Sequence, residues 1–144
     1  MNHPCLSPWK GAVAGGLIAF LWGAVSWTVL PFHGWALGPN LPPPSGGALA
    51  RMMLTALVLQ GFGGFWWTWI LGKIPGLTLT DAAKYGAMFG LCLGALGALP
   101  DSVWWGASWA NGLLETLDSV VAWGVASPVI ARWCQASVCA LPKK

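Results

Sequence analysis

Four long apolar runs, near residues 10–31, 48–71, 81–99 and 103–134, divide this chain of 144 residues. A hydrocarbon core is crossed by about 20 helical residues, and each run meets or approaches that length. The fold class that follows is an all-α integral membrane protein, a four-transmembrane-helix bundle forming a single domain over residues 1–144. Composition agrees. The chain is 56% hydrophobic and 8% charged, far below the ~25% charge of soluble domains. Its net charge of +3 comes from scattered basic residues, which is not the clustered signature of a nucleic-acid binder.

One run differs from the others. Residues 111–134, NGLLETLDSVVAWGVASPVIARWC, carry Glu115 and Asp118 in their interior. The two acids are three residues apart, so a helix places them on one face. Ser108 and Asn111 extend that face at spacings of three and four. A charge at bilayer depth is costly, so this polar stripe should face protein or water rather than lipid. Three readings are open: acids near the headgroups at a helix start, a buried structural ion pair, and proton or ion handling. Arg51, in the first turn of the second run, is the expected partner of Glu115. Gln60, near the middle of that run, needs an interhelical hydrogen bond. Asp118 is expected to bond Gln60 or a neighbouring hydroxyl, or to be protonated.

Two other runs carry ridges of small residues. Gly11, Gly15, Ala19 and Gly23 recur every fourth residue in the first run. Ala82, Gly86, Gly90, Gly94 and Ala98 do so in the third. Such ridges let helix backbones approach closely. The simplest expectation is that spans one and three pack together, Gly15, Ala19 and Gly23 against Gly86, Gly90 and Gly94. Both spans also begin with a lysine and end in Leu-Pro, with a Trp four residues after the Pro. A duplication giving two parallel helical hairpins would produce this pattern, and so would convergence under common interfacial rules.

The connectors are uneven. Residues 31–47, PFHGWALGPNLPPPSGG, are long for a hairpin and favour extended and turn geometry. Residues 72–80 form a tighter turn, in which Thr78 or Thr80 is placed to cap the third helix. A continuous helix from Ser102 to Cys134 would be roughly 48 Å long, so its start is expected in the interface or strongly tilted. Pro128 is a site for a kink. The first run has no Ala-x-Ala cleavage pattern following its apolar stretch and reads as a retained helix.

With four spans, Lys10, Lys73, Lys84, Arg132, Lys143 and Lys144 share one side, and Arg51 alone lies on the other. The positive-inside rule then places both termini in the cytoplasm of an inner-membrane protein. The 12 tryptophans fit two belts: Trp9, Trp66, Trp67, Trp69 and Trp133 inside, Trp27, Trp35, Trp104, Trp105 and Trp109 outside, with Trp22 and Trp123 near mid-depth.

Cys5, Cys92, Cys134 and Cys139 have no CxxC spacing. Cys92 reads as a small packing residue in an apolar run. The other three share a side with His3, which leaves open a metal site or free thiols in a reducing compartment. His33 reads as an interfacial hydrogen-bonding residue, or as a ligand of haem or a chlorophyll-type pigment. No cofactor is assigned; lipid or pigment contacts suit the surplus of Trp and Gly.

The run GGLIAFLWGAVSWTVLPFH (residues 15–33), the later WWG (residues 104–106) and the acid-bearing last span resemble small bacterial four-helix integral membrane proteins of unknown function. That resemblance implies four helices and a bacterial source, and implies no activity. On function, the leading expectation is a non-catalytic accessory subunit of a larger membrane complex, of respiratory, photosynthetic or oxygenase type, with other membrane subunits and lipids as partners. The alternative is a small oligomeric transporter or proton-linked channel using Glu115 and Asp118. An enzyme is not expected: the chain has no HExxH and no paired transmembrane histidines.

Overall fold

The computed structural model describes residues 6–30 and 46–133. These form α1 (Pro8–Val29), α2 (Gly47–Leu71), α3 (Leu79–Gly97), α4 (Leu99–Trp104) and α5 (Trp109–Trp133). His3, Cys5, His33, Trp35, Cys134, Cys139, Lys143 and Lys144 lie outside the described residues. Four spans, with α3 and α4 counted together, are long and apolar enough to cross a membrane. The architecture is an all-α four-helix bundle of a multi-pass membrane protein.

Local chemistry sets the helix ends. Pro8 occupies the first turn of α1, where its missing N–H is no loss. Thr78 caps α3, accepting from the Asp81 N–H at 3.1 Å and donating to the Asp81 carboxylate at 2.6 Å. The Thr78 hydroxyl thus satisfies one of the unpaired N–H groups of the first turn and is itself fixed by the Asp81 carboxylate. The fourth helix begins later than expected. Residues 99–104 form the separate α4, which follows α3 after Ala98. Gly106 then takes a positive φ of 67°, a conformation that suits glycine and breaks the chain direction. Only at Trp109 does α5 start, its Gly112 N–H donating to Ser108 O at 3.1 Å. The break answers the length problem, because the polar and aromatic stretch before Trp109 turns aside instead of lengthening the span.

Helix pairing departs from the sequence expectation. The large interfaces are α1 with α2 and α3 with α5, while α1 and α3 share no extensive contact. The α1 ridge serves two partners. A Cβ on Gly16 would sit 2.7 Å from Gly61 Cα, and one on Gly11 would overlap Thr68, both on α2. A Cβ on Gly15 would lie 2.8 Å from Ile130 Cδ1 of α5. The α3 ridge meets α5 alone: Gly86 lies against Ser127 and the Trp123 carbonyl, Gly90 against Ser119 and Val120, and Gly94 against Thr116. The ridges therefore do not face each other. The α1 ridge packs on α2 and α5 and the α3 ridge on α5, because a smooth ridge fits any backbone that lacks bulk opposite it.

The result is two antiparallel hairpins, α1–α2 and α3–α5, joined chiefly by α1 against α5. One aromatic bridge adds a second link. Trp67 of α2 stacks on Phe89 of α3 at 4.3 Å between ring centres, and Phe89 meets the edge of Trp123 of α5 at 5.1 Å. Trp67 Nε1 donates to Ser127 Oγ at 2.6 Å, and that hydroxyl donates to the Trp123 carbonyl at 2.7 Å. Trp67 is thus a core residue of the bundle, whereas the adjacent Trp66 and Trp69 are exposed. Its indole needs both an apolar bed and a hydroxyl, and only the bundle interior supplies the two together. Cys92 also differs from expectation, since its side chain lies on the exposed surface of α3.

Candidate functional site

The polar stripe of α5 opens onto a cavity. Glu115 and Asp118 project toward α1 and α2 and line a space of about 300 Å³. Its other walls are Ala19, Trp22, Gly23 and Trp27 from α1, Gln60 from α2, and Ser119, Ala122 and Trp123 from α5. Asp118 is nine residues from the start of α5, roughly 13 Å along the axis. The cavity therefore occupies the half of the bundle toward α4.

Each carboxylate is held by a neutral donor. Asn111 Nδ2 donates to Glu115 Oε1 at 2.6 Å, one turn along the same helix. Ser26 Oγ of α1 donates to Asp118 Oδ2 at 2.6 Å, and Ser26 itself is buried. Hydrogen bonds to an ionised acceptor are shorter and stronger than neutral ones. The Ser26–Asp118 bond also crosses between the two hairpins, so it positions the acid and ties the halves together.

The expected ion pair does not form. Arg51 is exposed and lies along a separate shallow groove of α2, beside Met52, Thr55 and Leu59. Glu115 takes Asn111 as its partner instead. The physical reason is the placement of α2, which closes on α1 through Gly61, Gly64 and Thr68 and touches α5 only slightly. Its first turns, including Arg51, are left outside the bundle. Gln60 reaches the cavity wall, and of the partners expected for Asp118 it is a neighbouring hydroxyl, that of Ser26, that bonds it.

Gly23 has a different role from the one its spacing suggests. A Cβ built there meets nothing within 4 Å, so it is no packing contact. It forms open wall of the cavity, and Ala19 forms the adjoining buried part. Trp22 contributes an indole N–H that is buried without a hydrogen-bond partner. Ser26 was expected only as an unnamed hydroxyl beside Asp118. Its signal was available: it continues the small-residue face of α1 three residues beyond Gly23, and a hydroxyl at membrane depth needs a partner. Ser119 and Ser127 were missed for a similar reason, since they read as ordinary small residues of an apolar helix.

The arrangement can stabilise positive charge. Its described walls carry two carboxylates and a carboxamide, with no Lys, Arg or His. Three indoles complete the lining. Among the described residues there is no group of three His, Cys, Asp or Glu able to hold a metal ion. The fold and site thus define a multi-pass membrane helix bundle with an acid-lined cavity. No protein-family model, curated protein or solved structure matches the chain.

Proposed function

We propose that this chain is a small, non-catalytic membrane transporter or channel that passes protons or other cations through the cavity between α1, α2 and α5. The observation that carries this reading is the convergence of Glu115 and Asp118 on one cavity whose described walls bear no basic side chain. Acids inside membrane spans commonly mark ion and proton pathways. The lysine and arginine distribution supports insertion in a bacterial inner membrane with both termini cytoplasmic, which puts the cavity in the outer half. Reaction of Cys139 with an impermeant thiol reagent added outside intact cells would overturn that orientation.

The decisive measurement is flux in liposomes containing the purified protein alone. Proton or cation flux above protein-free liposomes is expected, and Asp118→Asn should abolish most of it. Flux equal to that of empty liposomes would remove the transport reading.

A second reading is an accessory subunit of a larger membrane complex. The first turns of α2 favour it. Met52, Met53, Leu54, Val58 and Leu59 are all exposed there, a face that another membrane subunit or lipid would cover. Stable co-purification with larger membrane subunits, from membranes solubilised in a mild detergent, would support this reading. Neither reading involves nucleic acid.

A further inference from the structure

We infer that the cavity is a binding site for a small organic ammonium ion, with Glu115 and Asp118 supplying the charge and Trp22, Trp27 and Trp123 the aromatic walls. This rests on the transport reading and names the class of its substrate.

Three observations separate this ligand from a bare ion. The first is volume. The cavity holds about 300 Å³, roughly ten times the share of one water molecule in the liquid. A dehydrated metal ion would fill a small part of it. The second is the donor set. Two carboxylates, one carboxamide and the Ser119 hydroxyl bring six side-chain oxygens to the lining, but Glu115 Oε1 and Asp118 Oδ2 already accept from Asn111 and Ser26, which leaves at most four against the six or more that hard cations gather. The third is the lining. Indole is the best aromatic partner for a cation lying over its face, and desolvated sites strengthen that attraction. Recognition of substituted ammonium groups by aromatic walls with a nearby carboxylate follows from that chemistry: the rings meet the apolar methyl or methylene shell, and the acids balance the charge.

The geometry also supplies access. Of the lining indoles, Trp27 is 47% exposed and Trp123 3% exposed, so the cavity is open on one side and enclosed on another. Gly23 leaves its part of the wall open: it lines the cavity, and a Cβ added there meets nothing within 4 Å. Gly23→Leu is therefore the variant chosen to fill the site, with the circular dichroism signal as its control for folding.

The test is binding of radiolabelled tetramethylammonium to the full-length protein in lipid nanodiscs, at constant ionic strength set with sodium chloride. Saturable binding is expected, weakened at least about tenfold, or ~1.4 kcal/mol, by Gly23→Leu and by Glu115→Gln. Both variants should keep the wild-type helical circular dichroism signal. Absence of saturable binding by the wild type overturns the inference. So does binding that Gly23→Leu leaves unchanged, or that sodium displaces as well as unlabelled tetramethylammonium does. Proton flux in liposomes without tetramethylammonium binding sinks this inference alone and leaves the transport reading standing. Tetramethylammonium binding without any flux supports the site and removes transport.

Discussion

Ser26 and Asp118 set the stability of the cavity wall at the level of single residues. A hydroxyl bonded to a carboxylate contributes more than a neutral pair, although hydrogen bonds between membrane helices average only about 0.6 kcal/mol in measured cycles. Ser26→Ala is therefore expected to lower stability by roughly 1 kcal/mol, and Asp118→Asn, which keeps an acceptor, by less. Unfolding in mixed detergent micelles would check both; equal stability of Ser26→Ala and wild type would dissolve the bond. Trp67 offers a second case. Trp67→Phe keeps an aromatic ring against Phe89 but loses the bond to Ser127. A loss of about 1–3 kcal/mol is expected, because the Ser127 hydroxyl loses its indole donor in a dry core.

The glycine ridges belong to the scale of helices. Gly90 of α3 faces Ser119 and Val120 of α5 so closely that any side chain would overlap backbone. Gly90→Leu should prevent α3 and α5 from closing, whereas Gly23→Leu should leave the melting temperature in detergent nearly unchanged. Identical melting of both variants would contradict the assignment. The α3–α5 interface also admits a direct geometric test. A Cβ on Gly124 would lie 3.7 Å from Ala87 Cβ, within the ~3.5–4.5 Å span of a disulfide. With the natural cysteines replaced, Ala87→Cys and Gly124→Cys together should cross-link on mild oxidation. Failure to cross-link would count against the hairpin arrangement.

For the whole molecule, the consequence is two hairpins joined by limited contacts. The turn between α2 and α3 is exposed at Pro75 and Gly76, and Gly76 has a positive φ of 66°. Separate expression of residues 1–75 and 76–144 should give halves that assemble in the membrane and co-purify. Trp67→Ala should weaken that assembly, because it removes the stack that carries α2 onto α3. Halves that assemble equally well with and without Trp67 would show that the bridge is dispensable.

The helices themselves were legible in the chain. Long apolar runs must satisfy their backbone groups internally once in lipid, so the number of spans and their approximate limits followed from residue order alone, apart from the break that Gly106 makes before α5. The shared face of Glu115 and Asp118 followed too, because helical spacing is local. So did the Thr78 cap. The partners of those faces were not legible. Lipid tails are as apolar as the helices, so hydrophobicity does not select which helix meets which, and close approach depends on shape matched along a whole interface. Only the tertiary structure sent the α1 ridge to α2 and α5, gave Asp118 the Ser26 hydroxyl, left Arg51 outside, and turned Gly23 from an expected contact into the open wall of a cavity.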